Sequence, residues 1–454
     1  MSELRDLLTD TVARVADYRE RVAGSPVFPR GTDIREALGE LPEKPTPPTD
    51  VIGKLAAAVE PALVATTGPR YFGFVTGGAL DAATAADVLA TGWDQNAFNQ
   101  ATSPAAAIVE DVAGGWLKDV LGLPSTASFG FVTGGQGANT VGLAAARHHV
   151  LARAGWDVER RGLHGAPPLT VIASEERHAT IDRSLRFLGL GTDSVEKVRA
   201  NDQGAIDVAA LESALDGPAI VCLQAGNVNS GAFDDFGAAI RIAHEHDAWV
   251  HVDGAFGLWA AANPATRQLT KGVEAADSWA ADGHKWLNVP YDSGYVFCAH
   301  PESHAAAMSF TAAYLTGHGD GGSRAPSDFV PESSRRARGF ATWAALSELG
   351  RTGVAELIER CCALARRFAE RLTAAGIAVV NDVVLNQVLV GFGEDTDRVV
   401  EAVQKSGECW MGATTWHGRR LMRISVSAWS TTEADVDRSV AAIQAAWASV
   451  ASRG

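Results

Sequence analysis

Residues 249–257 of the 454-residue chain, WVHVDGAFG, contain the pattern that decides the fold. An apolar run typical of a β-strand ends in a carboxylate, Asp253, and a glycine follows at once. A strand of this composition is favoured at the centre of a sheet, where both of its faces are buried. A carboxylate in such a place is costly unless a cation or hydrogen-bond donors meet it. Asp253 therefore predicts a partner such as a protonated heterocyclic nitrogen, and an aspartate that only caps the next helix is the alternative.

Short β-rich runs alternate with helical stretches on either side of this segment. Alternation of this kind favours an α/β fold in which helices cover a mainly parallel sheet. The predicted strands lie at 128–133, 169–174, 219–224, 249–253 and 295–300.

The chain as a whole predicts an arm, a large domain and a small domain. Residues 1–50 are expected to form an amphipathic helix and then an extended, proline-rich arm. Residues 51–344 are expected to form the large α/β domain, which binds the ligand. Residues 345–454 predict a small α+β domain whose last helix begins with the capping pattern Ser430-Thr431-Thr432-Glu433.

The composition narrows the class of protein. The apolar share of 46% and the charged share of 20% are those of an ordinary globular chain. With 39 basic and 54 acidic residues the net charge is −15, which argues against nucleic acids and membranes as partners. Five cysteines without CxxC spacing indicate neither a disulfide framework nor a metal site, and the charged N-terminus lacks an apolar signal core. We therefore expect a cytoplasmic protein without a metal.

Residues 131–139, FVTGGQGAN, leave a predicted strand, cross a glycine-rich turn and enter a helix. Such a turn exposes backbone N–H groups at the positive end of a helix dipole, so it suits a phosphate. The same composition also serves as a plain connection between a strand and a helix, and the turn alone is weak evidence.

Residues 282–288, DGHKWLN, place Lys285 beside an imidazole, His284, after a short strand-like run. A lysine in an apolar site has a lowered pKa, which makes it a nucleophile toward aldehydes. Most lysines are simply solvated, but the neighbouring aromatic residues weaken that interpretation. His178 follows the predicted strand at 169–174, and a side chain at the carboxyl end of such a strand points into the crevice where ligands bind.

Taken in this order, these segments resemble the group II decarboxylases that depend on pyridoxal 5′-phosphate (PLP), a family of fold-type I that includes aromatic-L-amino-acid decarboxylase. The resemblance covers nearly the whole chain, and it implies a homodimer whose active sites are shared between the protomers. Its motifs are Ser103-Pro104-Ala105 leading to Glu110 and Trp116, GGQGAN at 134–139, HVDGAFG at 251–257, GHKW at 283–286, and Ser334-Arg335-Arg336 leading to Trp343.

The resemblance also assigns roles to single residues. Lys285 matches the lysine that holds the cofactor as a Schiff base, and Asp253 matches the acid that keeps the pyridine nitrogen protonated. His178 matches the histidine that stacks on the ring and contacts the substrate carboxylate. The other expected cofactor-binding residues are Gly135, Gln136, Gly137, Ala255, His284 and Asn227, the last at a position where a threonine is common.

Two positions depart from the family pattern. Asp282 stands where an asparagine often touches the phosphate, which leaves its role open. Phe329 is the best counterpart of a loop tyrosine that supplies a proton in many relatives, and a phenyl ring has no proton to give. Another group, such as His178, Tyr291 or Tyr314, would then have to serve.

The predicted reaction is decarboxylation of an L-amino acid to the amine. Phe74, Phe98 and Phe329 are expected near the substrate side chain, which favours an aromatic or apolar substrate. The alternative on the same scaffold is an aldehyde-forming oxidative deaminase or another carbon–carbon lyase. A binding protein without a cofactor is a third class, against which Lys285 and Asp253 argue.

Overall fold

The computed structural model describes residues 3–29, 31–310 and 324–452. The chain divides into two compact units, each assembled from separate stretches of sequence. The larger unit comprises Gly77–Ala365 and Asn381–Gln387, and the smaller comprises Met1–Thr76, Arg366–Val380 and Val388–Gly454.

A seven-stranded sheet forms the centre of the larger unit. The strands follow the order β1-β7-β6-β5-β4-β2-β3, and β7 alone runs antiparallel to both of its neighbours. The mainly parallel sheet that the sequence predicted is therefore confirmed. Its strands are β1 Ser128–Val132, β2 Thr170–Ser174, β3 Val195–Val198, β4 Ala219–Gln224, β5 Trp249–Asp253, β6 Ser278–Asp282 and β7 Gly294–Cys298.

The burial of each strand follows from its position in the sheet. Strands β4 and β5 are buried at every residue, and β5 buries the polar side chains of His251 and Asp253 among its apolar residues. Strand β3 was not predicted, because its sequence VEKV exposes two charged residues on the edge of the sheet. The carboxyl ends of β2, β4, β5 and β6 meet at one edge, where Asp253 and Asp282 are the last residues of their strands.

Helices cover this sheet. Helix α6 packs against β5, β6 and β7, and against α8 and α11. Small residues allow this close approach: a Cβ atom on Gly142 would lie 2.6 Å from Cε1 of His251. The helices of the larger unit are α4 Asp81–Trp93, α5 Pro104–Val120, α6 Gly135–Arg153, α7 Val158–Arg161, α8 Ala179–Phe187, α9 Val208–Ala214, α10 Phe236–Glu245 and α11 Pro301–Met308.

Two of the sequence motifs pair with each other. Arg335 donates to Oε2 of Glu110 at 2.8 Å with both side chains fully buried, and it also donates to the carbonyl of Phe131 at 2.6 Å. Trp116 stacks on Trp343 with ring centroids 6.1 Å apart. These motif residues join α5 to the helix over 339–374 and to the segment just before that helix, so their role is to hold the fold.

Helix α12, Gly339–Ala374, continues into the smaller unit. It is kinked at Gly350, whose φ of 59° and ψ of −176° are not helical. The predicted domain boundary between 344 and 345 falls within this helix and stays a prediction.

The smaller unit contains a four-stranded sheet in the order β10-β11-β9-β8. The amphipathic N-terminal helix is confirmed as α1, and none of its residues is buried. The last helix is capped two residues later than predicted: Thr432, not Ser430, is the N-cap, and it exchanges hydrogen bonds with Asp435. The elements are α1 Glu3–Arg21, α2 Arg35–Leu38, α3 Pro48–Val59, β8 Ala378–Val379, β9 Gln387–Gly391, α13 Thr396–Ser406, β10 Gly412–Trp416, β11 Arg419–Ser425 and α14 Glu433–Ala451. Across all the described ranges, no helix has both the length and the apolar character needed to span a membrane.

Candidate active site

Asp282, at the end of β6, connects two of the predicted motifs. Its Oδ1 accepts a hydrogen bond from the backbone N–H of Gly135 at 2.5 Å, and its Oδ2 lies 2.9 Å from Nζ of Lys285. The carboxylate is almost wholly buried. Asp282 therefore links the lysine to the glycine turn at the same edge of the sheet.

The glycine turn forms a cradle that no larger residue would allow. Gly134 is the N-cap of α6, and the helix begins at Gly135. A Cβ atom on Gly134 would lie 2.7 Å from Cε1 of His284, and a Cβ on Gly135 would lie 2.9 Å from Oδ2 of Asp282. The N-terminus of a long helix thus packs closely against the side chains of His284 and Asp282, and the positive end of a helix dipole attracts an anion.

Asp253, at the end of β5, is buried and held by two donors. Its Oδ2 accepts from Nδ2 of Asn139 at 3.0 Å and lies 3.4 Å from Oγ1 of Thr180. Its Oδ1 accepts from the backbone N–H of Ala255 at 3.2 Å. These bonds fix the carboxylate at the end of the strand. The helical turn that follows, Gly257–Ala262, has Phe256 as its N-cap, so Asp253 does not cap it, and its role toward a cofactor stays a prediction.

His178 is the N-cap of α8 and lies beside the Asp253 group. The backbone N–H of Thr180 donates to Nδ1 of His178 at 3.3 Å, so Nδ1 is an acceptor and the neutral ring carries its proton on Nε2. Because this Nδ1 carries no proton, the hydroxyl of Thr180 donates to it at 2.8 Å. Oγ1 of Thr180 in turn accepts from Nδ2 of Asn139, which also donates to Asp253, so Asn139 connects the two groups.

The pKa of Lys285 moves in the opposite direction from the one expected. Burial lowers this pKa, but the charge and hydrogen bond of Asp282, together with the charge of Asp253, outweigh burial and leave it raised. The prediction of a lowered pKa was wrong because it omitted the neighbouring carboxylate. Burial also lowers the pKa of His284, whose Nε2 lies 3.5 Å from Oδ1 of Asp282.

The remaining predicted cofactor residues each contact a different part of the structure. Gln136 points toward α8, where Nε2 donates to Oγ of Ser184 at 2.8 Å. Gly137 packs on β1, where its Cβ would meet Val132 at 3.3 Å. Asn227 uses its side-chain carbonyl to accept from the N–H of Asn229 at 2.9 Å. The amide of Asn227 thus shapes its own turn, and its contact with the cofactor stays a prediction.

The aromatic residues expected at the substrate are distributed over both units. Phe74, in the smaller unit, is exposed and tilted against Trp410 with ring centroids 5.4 Å apart. Phe98 is buried in the larger unit, and its carbonyl accepts from the N–H of Ser327. Phe329 packs edge-on against His304 of α11 at 5.1 Å. Their roles toward a substrate stay predictions.

Tyr291 is a phenol that the structure places beside His284, in the motif around the lysine. Its ring lies 4.4 Å from the ring of His284, and its side chain is exposed. Tyr314, the other tyrosine considered as a proton donor, lies outside the described residues.

Three site residues were given no role from the sequence: Asn139, Thr180 and His251. Asn139 and His251 stand within the quoted motifs, and each is a polar side chain at a position that its element buries. A buried polar residue next to a strand-end carboxylate is the signal that identifies such partners, because it needs a hydrogen bond there.

The residues present fit pyridoxal phosphate. The site offers an amine on Lys285, a buried carboxylate on Asp253 and a glycine cradle at a helix N-terminus. These are the groups that an aldehyde, a pyridine nitrogen and a phosphate require.

The chain matches the family model described as the pyridoxal-dependent decarboxylase conserved domain over residues 33–392. It is 27% identical over 464 residues to tryptophan decarboxylase 1 of Oryza sativa subsp. japonica, covering 93% of this chain and 90% of that protein. It is 25% identical over 460 residues to phenylacetaldehyde synthase of a Rosa hybrid cultivar, covering 92% and 89%. The crystal structure of Oryza sativa TDC with PLP and tryptamine superposes with a TM-score of 0.91 at 25% identity, covering 98% of each chain.

Proposed function

Because the chain belongs to the pyridoxal-dependent decarboxylase family, we propose that it removes the α-carboxylate of an L-amino acid and releases the amine. The preferred substrate has an aromatic or apolar side chain. The observation that carries this proposal is the meeting of Lys285, Asp253 and the glycine turn at one edge of the sheet.

Each of these groups has a distinct expected task. Lys285 holds the cofactor aldehyde, Asp253 faces the ring nitrogen, and the Gly134–Gly135 turn with His284 receives the phosphate. When bound, PLP supplies a ring that accepts the electron pair left at Cα as a substituent departs. Asp253 supports that chemistry because a buried carboxylate keeps the ring nitrogen protonated.

Decarboxylation replaces a bond from Cα to carbon by a bond from Cα to hydrogen, so the site must deliver one proton. His178 presents Nε2–H, since Nδ1 already accepts from Thr180, and we expect it to orient the substrate carboxylate. The phenol of Tyr291, whose ring is tilted against His284, is a second proton source beside the lysine.

The preference for an aromatic or apolar side chain is supported by two kinds of observation. Relatives with this architecture are named tryptophan and tyrosine decarboxylases. Phe98 is buried next to the backbone of Ser327, two residues before Phe329. Aromatic side chains of this kind can cover an aromatic substrate.

Aldehyde formation is the second candidate. Two relatives are named phenylacetaldehyde synthase and 4-hydroxyphenylacetaldehyde synthase, and Phe329 stands where we expect a loop tyrosine in decarboxylases. That reaction consumes one O2 and one water for each aldehyde, CO2, ammonia and hydrogen peroxide released.

The test is incubation of the PLP-loaded enzyme with each of the twenty amino acids, in air and without oxygen. We expect CO2 and amine in equal amounts from aromatic or apolar substrates under both conditions. If aldehyde, ammonia and peroxide form, and only in air, the reaction is aldehyde formation, the second candidate, and not decarboxylation to the amine. Lys285→Ala is the control, and it should release no CO2 and retain no cofactor after borohydride reduction.

A further inference from the structure

A buried chain of hydrogen bonds runs from Trp249 to Asp253. Nε1 of Trp249 lies 2.9 Å from Oγ of Ser278, and this oxygen lies 2.8 Å from Nδ1 of His251. Nε2 of His251 lies 2.9 Å from Oδ1 of Asn139, whose Nδ2 lies 3.0 Å from Oδ2 of Asp253. Each of these residues is at most 6% exposed.

The direction of every bond follows from the two ends of the chain. The carboxylate of Asp253 only accepts, so Asn139 must present its NH2 group to it and its carbonyl to His251. The indole N–H of Trp249 only donates, so Ser278 accepts from it and keeps its own proton for Nδ1 of His251. The imidazole must therefore donate from Nε2 and accept at Nδ1.

His251 satisfies this requirement because it is neutral. Burial lowers the pKa of His251 to about 4, although the charge of Asp253 raises it in part. Near neutral pH the ring therefore has one N–H, which the chain of bonds assigns to Nε2.

We propose that His251 is a positioning residue for the cofactor, an inference that rests on the proposed role of Asp253. Its Nε2–H fixes the orientation of the Asn139 amide, and the amide holds the Asp253 carboxylate in the position from which it would meet the ring nitrogen. If the amide turned over, its carbonyl would face the carboxylate, and attraction would become repulsion. The same amide donates to Oγ1 of Thr180 at 3.0 Å, so Thr180 and the His178 side chain bonded to it are aligned together with Asp253.

Two substitutions of His251 separate this role from simple packing. The amide nitrogen of glutamine can occupy the place of Nε2, so His251→Gln retains a donor to Asn139. Asparagine reaches only the place of Nδ1, so His251→Asn retains the contact with Ser278 and loses the one with Asn139. Both variants remove the ring, which makes each the control for the other.

The experiment measures the 15N resonance of the cofactor ring nitrogen in holoenzyme loaded with 15N-labelled PLP, and kcat and KM for the amino acid that turns over best. We expect the protonated resonance in wild type and His251→Gln. In His251→Asn the resonance should move toward the neutral pyridine value, and kcat should fall roughly 10- to 100-fold, the range known for outer-shell partners of metal ligands. KM should change less than kcat.

Two further variants keep the test decisive. Asn139→Leu removes the amide that donates to Asp253, so it should reproduce the shift even if His251→Asn does not fold. Asp253→Asn gives the resonance of a ring without its acid. Equal resonances and equal kcat values for the glutamine and asparagine variants, with wild-type resonance in Asn139→Leu, would overturn the role of His251. A neutral ring nitrogen in wild type would instead overturn the proposed role of Asp253.

Discussion

Asp282 is one of the two positions at which the sequence departs from the expected family pattern. It bonds to Gly135 and Lys285, the two groups expected to serve the phosphate and the aldehyde of the cofactor. A carboxylate repels a phosphate dianion, and it also keeps Lys285 protonated to a higher pH because it raises the pKa of that amine. Both effects oppose attachment of the cofactor.

Replacing this carboxylate should therefore strengthen cofactor binding. We expect Asp282→Asn to lower the Kd for PLP by about tenfold or more, which corresponds to about 1.4 kcal/mol. Because the pKa of Lys285 falls in this variant, attachment should also proceed at a lower pH than in wild type. Fluorescence titration with PLP and with pyridoxal, which lacks the phosphate, measures the two effects separately. An unchanged Kd for PLP would contradict the prediction, and an equal gain for pyridoxal would exclude the phosphate as its cause.

The sequence could name Lys285, Asp253 and His178 because each lies at or just beyond a strand end recognisable from its composition. It could not name the partners of Asp253, since the bond from Asn139 joins positions 114 residues apart. The direction of the Lys285 pKa was missed for a related reason: the sequence does not say where the carboxylate of Asp282 points. Local sequence patterns predict a helix or strand and the residue at which it ends. Contacts between residues that are distant in the sequence can be identified only from the three-dimensional fold.

At the scale of the element, helix α6 needs a glycine at position 142, because the side chain of His251 approaches the helix backbone closely there. Alanine is favoured over glycine inside a helix by about 1 kcal/mol. At Gly142 the added Cβ would lie 2.6 Å from the ring of His251, and such overpacking costs about 1–3 kcal/mol. We expect Gly142→Ala to lower the thermal unfolding midpoint. It should also weaken the chain of hydrogen bonds that runs from His251 through Asn139 to Asp253.

Gly115 in α5 provides the matched control, since a Cβ there would meet nothing within 4 Å. Gly115→Ala should leave the unfolding midpoint unchanged or raise it slightly. Equal stabilisation of both alanine variants would contradict the prediction, because it would show that His251 leaves room for a Cβ atom at position 142.

At the scale of the whole molecule, α1 presents an apolar stripe to solvent. Leu4, Leu8, Val12 and Val15 lie on one side of this helix and are 40–63% exposed. Such a stripe is typical of a surface that another chain covers. We therefore expect a homodimer in which α1 takes part.

Sedimentation of wild type and of a Leu8→Glu, Val12→Glu double variant measures this association. Wild type should sediment as a dimer, and the double variant should dissociate and lose activity. Ala13→Glu, which alters an exposed residue on another side of α1, should leave the dimer intact. An active wild-type monomer would contradict the prediction.

The order of the strands also has a consequence for synthesis on the ribosome. Strand β1 stands at the edge of the sheet, and its one partner among the described strands is β7, which ends at Cys298. At about 5–20 residues per second, β1 waits about 10–30 s of translation before that partner emerges. Until then the nascent chain carries an unpaired apolar strand with the glycine turn at its end. We expect chaperones that bind nascent chains to recognise this segment, and the phosphate cradle to form among the last parts of the larger unit.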